Sequence, residues 1–401
     1  MKSKKVSRKN SGMISPVKSL AAMIFLSSAA TTASADILIG ETASTKLSMY
    51  GLLDAGILYQ DKVSTDGDEK VGLESSGLTP TILGFKGSRS LDNGMNAFFN
   101  LEAHFDLDTG MFHGTGDAST DSDDGSGTVL FRRQANLGVN GDWGTVIIGR
   151  QYGPGLLAHL GTEPRVFKEQ FSNVYAWAYS QYFSSINAST TTDGRNANND
   201  VGIFFKNAVQ YRNSINGLDF GVMYSFGGQE GSQKEGDVIA IGAAYNTGSV
   251  TLSGSYQNMR DQQTAEDIIT SWGVGAAYNA GDLNFKTNYL ATENNDANGV
   301  QVLDLESVSA GVDWQWSEKN SATVAYYINK DKAPSKSVET KSLVLSNEYT
   351  IGESTIVYAQ LAHVDADEMG VISRYATSIV ASPAPAGETT TLINVGFNFA
   401  F

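Results

Sequence analysis

The sequence predicts an all-β fold, a transmembrane antiparallel β-barrel of sixteen strands, and three observations carry this prediction. Apolar and polar residues alternate with a period of two along many short segments, which is typical of strands with two different faces. Short turns and long polar loops alternate between these segments. The N-terminus carries the pattern of an export signal. An even number of strands with short turns at one end and long loops at the other is typical of barrels that span a membrane.

Residues 1–35 are predicted to be a secretory signal peptide. Six basic residues and no acid precede the apolar stretch at 20–30, and the small-x-small sequence Ala33-Ser34-Ala35 follows it. The apolar stretch is well short of the 18 or more residues of a membrane-spanning helix. Cleavage would leave a barrel domain at residues 36–401 and change the formal charge from −15 to −21, because the six positive charges are lost.

The alternation is clearest at the C-terminal end, where Ile393, Val395 and Phe397 share one face and Asn394 and Gly396 share the other. Comparable alternation or strand composition gives sixteen predicted strands. They lie at residues 46–60, 79–89, 95–108, 129–140, 143–151, 206–213, 218–226, 238–246, 249–258, 271–278, 283–292, 303–315, 321–330, 341–349, 354–363 and 389–401. Several short connections contain Asn and Gly, as at Asn216-Gly217, which supply the positive φ of tight hairpins.

A barrel explains why one face is apolar and the other polar. In hydrocarbon every backbone N–H and C=O must be paired within the protein, and a closed barrel achieves this without a free edge. The apolar face then contacts lipid and the polar face lines the lumen. A soluble β-sandwich is the alternative, but it turns its apolar side chains inward and lacks the regular alternation of short and long connections.

Composition argues against other classes of protein. The 401 residues include 43 acids, 28 bases and no cysteine, which excludes disulfides, cysteine-ligated metals and cysteine nucleophiles. The acidic balance argues against a nucleic-acid partner, since phosphate binding requires concentrated Lys and Arg. The four histidines lack ligand spacing, and no nucleophile elbow or phosphate loop occurs. We therefore expect no enzymatic activity, no cofactor and no metal site.

The acidic run from Asp117 to Gly125 leaves weak binding of divalent cations open. Its composition is similar to that of a calcium loop, but it lacks the positioned glycine and the terminal glutamate of an EF-hand. We interpret this run as a solvated external loop.

Several strings resemble the Gram-negative general diffusion porins, especially the trimeric sixteen-stranded kind. The most specific is WGTVIIGRQY at 143–152, which is similar to the fifth strand of that family and its entry into the third long loop. The others are SMYGLLDAG at 48–56, LGFKG at 83–87, FRRQA at 131–135, LGV at 137–139, NAVQY at 207–211 and GLDF at 217–220. The resemblance implies passive transport by a homotrimer in the Gram-negative outer membrane.

The C-terminus resembles the aromatic-ended assembly signal of outer-membrane proteins, through Gly396, Phe399 and Phe401. The implied partners are the outer-membrane assembly machinery, outer-membrane lipid and lipopolysaccharide, and small hydrophilic solutes and ions.

The third long connection, at 152–205, is by far the longest, and a loop of this length is unusual unless it is functional. We call it loop 3. In the porins the corresponding loop folds into the barrel and narrows a lumen that would otherwise be wide. The resemblance therefore implies that acids of loop 3, namely Glu163, Glu169 and Asp193, face basic residues of the wall.

The basic wall is predicted from strand parity and from the resemblance. Lys206 and Arg212 share the face opposite Val209 and are expected to point into the lumen. Arg132 and Arg133 are adjacent, so parity leaves both open, and the family string favours Arg133. Arg150 ends the fifth predicted strand. Ile82 occupies a position where family members often carry arginine, which predicts a thinner basic cluster.

We therefore expect a passive diffusion channel for ions and small hydrophilic solutes, with a mild preference for cations that follows from the acidic charge. The alternative is a substrate-specific channel for oligosaccharides or anions, in which Tyr50 and the aromatic residues of loop 3 would contact the solute. Two further roles are weaker. An outer-membrane hydrolase lacks a supporting histidine constellation, and an adhesin or phage-receptor role would add to transport without replacing it.

Overall fold

The computed structural model describes residues 36–63, 66–112, 129–172, 177–178, 196, 198–296, 298–333, 338–367 and 387–401. Within these ranges the chain forms a closed antiparallel β-barrel of sixteen long strands, which confirms the predicted fold class. Three short strands, β1, β3 and β8, add to the sheet, and one short helix, α1, lies in loop 3. The helix α1 spans Pro154–His159.

The strand bounds are β1 Ile37–Glu41, β2 Thr45–Gln60, β3 Lys70–Ser75, β4 Ile82–Ser90, β5 Asn96–His104, β6 Gln134–Gly141, β7 Gly144–Tyr152, β8 Asn199–Asp200, β9 Phe204–Ile215, β10 Leu218–Ser225, β11 Val238–Asn246, β12 Val250–Arg260, β13 Asp267–Ala280, β14 Leu283–Asn295, β15 Gln301–Ser317, β16 Asn320–Asp331, β17 Val338–Ile351, β18 Thr355–Ala366 and β19 Glu388–Ala400.

The ring closes where β19 pairs with β2. Gly51 and Phe401 exchange two backbone hydrogen bonds, of 2.9 and 3.0 Å. A Cβ at Gly51 would collide with the Phe401 ring, so this close approach requires glycine. Beyond Phe401, β1 continues on the same edge of β2, with Ile37 opposite Met49. The first and last segments of the barrel domain therefore form one seam.

The two faces of each strand differ as the sequence predicts. On β13 the exposed residues Trp272, Val274 and Tyr278 alternate with the buried residues Ser271 and Ala277. Trp272 also packs against Tyr289 of β14, with ring centroids 5.1 Å apart. No helix within the described ranges is long and apolar enough to cross a membrane.

Several strand limits differ from the predictions. The predicted loop at 61–78 contains β3, which pairs with the C-terminal half of β2. The next strand, β4, begins at Ile82 and pairs with the N-terminal half of β2. The carboxylate of Asp54 explains this interruption, because it binds the backbone N–H groups of Gly77 and Leu78 at 2.9 and 3.1 Å. The fourth predicted strand begins only at Gln134, so Arg132 and Arg133 precede β6 instead of lying in it.

Candidate functional site

The first part of loop 3 runs along inward-facing positions of the barrel wall. A Cβ at Gly242 of β11 would collide with the Pro154 carbonyl, and one at Gly311 of β15 would lie 2.7 Å from the Pro164 ring. Glycines on the inner face therefore make room for this segment, as close backbone approach requires. The part of loop 3 at 179–195 lies outside the described residues, so its full course across the lumen stays a prediction.

His159, at the end of α1, is held by two wall hydroxyls. Its Nδ1 and Nε2 atoms each lie 2.8 Å from a serine oxygen of β12, Ser253 and Ser255 respectively. Thr162 adds a 2.7 Å hydrogen bond to Ser253. Burial lowers the pKa of His159 to about 4, because a charged imidazole would lose its hydration. The histidine is therefore a neutral anchor of the loop at ordinary pH.

Glu163, one of the predicted constriction acids, is fully buried. Its Oε2 accepts the backbone N–H groups of Arg165 and Phe167, both at 2.7 Å. Its Oε1 accepts the hydroxyl of Tyr327 on β16 at 2.8 Å. These bonds satisfy the carboxylate and fix a turn of loop 3 to the wall. The geometry therefore gives Glu163 an anchoring role, and Arg165 offsets its charge.

Glu169, the other predicted loop acid within the described residues, stays partly exposed. One of its oxygens lies 4.0 Å from the Arg133 guanidinium, and its backbone N–H donates to the Leu78 carbonyl at 3.1 Å. Arg133 also pairs with Glu102 of β5 at 2.6 Å and contacts the Tyr152 hydroxyl. The expected pairing of a loop acid with a wall arginine thus has a counterpart in the structure.

The other predicted wall arginines lie beside Arg133. Arg150 donates to the carbonyl of Arg132, and Arg212 donates to the Tyr152 carbonyl at 3.2 Å and to the Gln210 side chain. We call this group the arginine sector; its members are Arg132, Arg133, Arg150 and Arg212. Within the described residues no carboxylate lies within ion-pair distance of Arg212, so its positive charge is not directly compensated.

The parity argument does not hold for Lys206. Asn207 has a φ of 52°, and the register of β7 and β9 shifts between Gly149 and Gln151. This bulge puts the buried Phe205, rather than Lys206, on the inward face shared with Gln210. The alternation along β9 therefore no longer places Lys206 toward the lumen, but it still places Arg212 there. Asp193 and the acidic run from Asp117 to Gly125 lie outside the described residues, and their predicted roles stay predictions.

A second charged group on the inner wall escaped the sequence analysis. Lys168 of loop 3 pairs with Glu348 of β17, and Lys286 of β14 pairs with Asp313 of β15 at 2.5 Å. We call these four residues the carboxylate sector. Arg165 lies nearby, buried, with its guanidinium 2.5 Å from the Gln360 side chain. Lys168 lies in none of the strings that resemble the porin family. The other three residues lie on strands, where the alternation places many polar residues inward and does not distinguish these three.

Asp54 is a further buried acid whose role the sequence did not reveal. Besides its backbone partners it accepts hydrogen bonds from the Tyr358 hydroxyl at 2.8 Å and the Asn398 amide at 2.9 Å. Asp54 lies in the string at 48–56 that resembles the porin family. The resemblance therefore marked this residue, but it did not indicate which groups the carboxylate would bind. Its contacts link β2 to β18 and β19 beside the seam.

Of the predicted assembly residues, Gly396 and Phe399 lie on β19 at this seam and Phe401 directly follows it. A Cβ at Gly396 would collide with the Tyr358 hydroxyl, while the rings of Phe399 and Phe401 stack with centroids 6.1 Å apart. These positions suit closure of the barrel; their recognition by assembly machinery stays a prediction. No group of three or more histidine, aspartate or glutamate side chains in the described ranges could hold a metal ion.

Comparison with known proteins gives consistent results. Residues 19–368 match the family described as Gram-negative porin. The chain is 24% identical to outer membrane porin protein 32 of Delftia acidovorans over 383 residues, which is 90% of this chain and 95% of that one. It superposes on the anion-selective porin from Comamonas acidovorans with a TM-score of 0.72 at 21% identity, covering 89% of this chain and all of the other. The Salmonella typhi OmpF complex with daunomycin gives 0.61 at 17% identity, with 89% and 98% covered.

Proposed function

The chain belongs to the Gram-negative porin family and is an outer-membrane channel, and we propose that it passes ions and small hydrophilic solutes by passive diffusion. The observation that carries the proposal is the inner face of the closed barrel, where charged and amide side chains line the wall beside loop 3. A closed barrel with a polar interior can conduct hydrated solutes without a carrier step.

Loop 3 is proposed to set the size limit of the channel. Its first part is held to the wall at two places, by His159 on β12 and by Glu163 on β16. A loop anchored in this way would narrow the lumen by a fixed amount instead of moving with each solute. Liposome swelling with sugars of increasing size tests this proposal: a sharp size limit supports it, and swelling that is absent for the smallest sugars contradicts diffusion.

We propose that the channel prefers anions. The cation preference was predicted from the acidic charge, but of the loop 3 acids Glu163 lies buried beside Arg165 and Glu169 lies beside Arg133. Arg212 is buried like Glu163, but its contacts are a carbonyl and an amide, which are neutral groups, and no carboxylate of the described residues offsets its positive charge. Fixed charge in a confined space acts strongly on passing ions. The protein described as the anion-selective porin from Comamonas acidovorans shares this fold.

Reversal potential in a salt gradient tests the sign of the preference. Arg212→Met should shift selectivity toward cations, because a positive charge is lost from the inner wall. The matched control is Arg89→Met. Arg89 is exposed near the C-terminal end of β4, and its replacement should leave the reversal potential unchanged. A wild-type channel that prefers cations, and that Arg212→Met does not alter, would restore the original prediction.

A substrate-specific channel is the alternative function. It requires aromatic or basic side chains that present their faces to a solute along the lumen. The described aromatic candidates are instead packed: Tyr50 is 3% exposed and hydrogen-bonded to Glu102 at 2.8 Å, and Phe171 and Trp177 are buried. Saturable block of the current by one sugar or organic anion would favour this alternative over general diffusion.

Processing and assembly complete the proposal. We infer a mature N-terminus at Asp36 from the small-x-small sequence at 33–35; the Asp36 carboxylate lies 2.8 Å from the Lys86 ammonium group beside the barrel seam. Mass spectrometry of the purified protein tests the cleavage site. A homotrimer in contact with lipopolysaccharide is proposed from the family resemblance, and crosslinking of the detergent-extracted protein would show whether the trimer forms.

A further inference from the structure

A short turn at 76–79, between β3 and β4, is bound to the barrel wall through its N–H groups. The partner is the carboxylate of Asp54 on β2. It accepts from the N–H of Gly77 at 2.9 Å and from those of Leu78 and Thr79, both at 3.1 Å. Three successive peptide groups of the turn are therefore held by one side chain.

The surroundings of Asp54 suit a carboxylate in particular. The side chain is fully buried, and the Tyr358 hydroxyl and the Asn398 amide also donate to it, at 2.8 and 2.9 Å. All five partners are donors. A carboxylate accepts on both oxygens, whereas an asparagine would turn its own amide donor toward other donors. Because Tyr358 and Asn398 lie on β18 and β19, this arrangement is complete only where the barrel closes.

The carbonyl groups of the same turn bind loop 3. The Leu78 carbonyl accepts the N–H of Glu169 at 3.1 Å, and the Gly77 carbonyl accepts the N–H of Gln170 at 3.4 Å. The Asn394 amide of β19 donates to the Gln170 side chain at 2.6 Å and supports the same segment. The turn is thus bound on two sides, with its N–H groups on the buried carboxylate and its carbonyl groups on the backbone of loop 3.

We propose that Asp54 is a positioning residue for the constriction: it fixes the turn at 76–79, and the turn fixes the segment of loop 3 that carries Glu169. The inference deepens the proposed function and rests on it, because it assumes that loop 3 sets the size limit. Since Asp54 is fully buried, it acts through the turn and not by contact with a solute. His159 and Glu163 hold the first part of the loop, and this third attachment ties the following segment to the seam.

Two variants of the full-length channel test this role. Asp54→Asn removes an acceptor from the turn, and Tyr358→Phe removes one donor to the carboxylate but keeps its charge. Hydrogen exchange of the Glu169 and Gln170 amides should accelerate about tenfold in the first variant and about threefold in the second, since hydrogen bonds to a charged group contribute to this extent. In liposome swelling both variants should admit sugars above the wild-type size limit, because the released segment no longer keeps a fixed position.

The matched control is Thr390→Val on β19. Thr390 is also fully buried at the seam, but its hydroxyl accepts from the Gln60 side chain and donates to the Asp61 carbonyl instead of contacting the turn at 76–79. This variant should lose thermal stability and keep both the wild-type size limit and the wild-type exchange of the loop 3 amides. A residue that only stabilises the seam would behave in this way.

The outcomes separate this inference from the proposed function. Wild-type exchange and a wild-type size limit in a folded Asp54→Asn channel overturn the role of Asp54, even though the channel conducts. Shifts in Asp54→Asn that are absent from Tyr358→Phe also overturn it, because they follow the charge and not the position of the turn. Equal shifts in Thr390→Val assign the effect to a loosened seam and overturn it as well.

Two further results keep the test decisive. If heat-modifiable migration on gels shows that Asp54→Asn does not fold, Tyr358→Phe decides alone. A wild type that folds but does not conduct overturns the diffusion proposal, whereas exchange of the Glu169 amide still shows whether Asp54 holds the loop.

Discussion

The arginine sector and the carboxylate sector line the same lumen, but they are built differently. The arginine sector joins Arg132 and Arg133, just before β6, and Arg150, near the end of β7, with Arg212 of β9, whose guanidinium reaches the Tyr152 carbonyl where loop 3 begins. The carboxylate sector joins a residue of loop 3 to strands far away in the sequence, as in the pair Lys168 and Glu348. The first can be found from local strings. The second exists only because the loop lies against the wall.

The largest effect is expected from replacement of Gly242 on β11, because a side chain at this position would take the space that α1 occupies. In Gly242→Ala the new Cβ would collide with the Pro154 carbonyl, a backbone atom that cannot move alone. We expect a loss of about 1–3 kcal/mol of stability and a larger single-channel conductance, as loop 3 leaves the wall. Thermal unfolding and bilayer recording measure both effects.

The matched control for this change is Gly254→Ala, where the nearest atom to the new Cβ would be the Gly273 carbonyl at 3.8 Å. This variant should behave like the wild type. If the two variants gave the same conductance and the same stability, α1 would not be held against β11.

The two loop acids should respond differently to neutralisation. Glu169→Gln should raise the anion preference, because a partly exposed negative charge beside Arg133 is lost. Glu163→Gln should leave the reversal potential nearly unchanged, because Arg165 already offsets its charge, but it should weaken the anchor by about 1–3 kcal/mol, since a satisfied carboxylate is lost. Current noise and reversal potential, recorded on the same channels, distinguish the two results. Equal shifts in selectivity would show that Glu163 faces the permeating ions.

The His159 anchor should weaken as the pH falls. The pKa of His159 is about 4 in the folded loop and near its ordinary 6.5 when the loop is released. The released state therefore binds more protons between these values, and the anchor is strongest above about pH 6.5 and loses strength toward about pH 4. The free energy of opening should fall by at most about 1.4 kcal/mol per pH unit.

Hydrogen exchange of residues 154–159 at about pH 7 and about pH 5 measures this opening, after correction for the intrinsic exchange rates. His159→Gln is the control, because it keeps a polar side chain but cannot titrate. A pH dependence that remained unchanged in the glutamine variant would assign the effect to another group.

The smallest effect is expected at the seam, away from both sectors. Lys86→Met removes the 2.8 Å ion pair with Asp36, whose two partners are both partly exposed. Pairs of this kind contribute up to about 1 kcal/mol. We expect a small drop in thermal stability, an unchanged conductance and an unchanged selectivity. A change in selectivity would show that the charges of Lys86 and Asp36 at the seam also act on permeating ions.

The sequence was sufficient for the barrel, because the two-residue period and the hairpin glycines act locally on each strand. It was less reliable at irregular positions. The interruption at Asp54 depends on a carboxylate that reaches backbone groups more than twenty residues away, and the bulge at Asn207 breaks the parity on which Lys206 was assigned.

The candidate site was predicted only in part, for a related reason. Glu169 and Arg133 come together as the resemblance implied. Glu163 has the same residue type and lies in the same loop, but the backbone of that loop and Tyr327 enclose it. Neither burial nor the pairing of Lys168 with Glu348 can be read from spacing, because both depend on how loop 3 packs against distant strands.

The most direct test of the two-sector arrangement is the reversal potential of Arg212→Met and Glu348→Gln under one salt gradient at one pH. The first variant removes a positive charge from the arginine sector and the second removes a negative charge from the carboxylate sector. We expect shifts in opposite directions, toward cations for Arg212→Met and toward anions for Glu348→Gln. Shifts of the same sign, or two variants indistinguishable from the wild type, would contradict the arrangement.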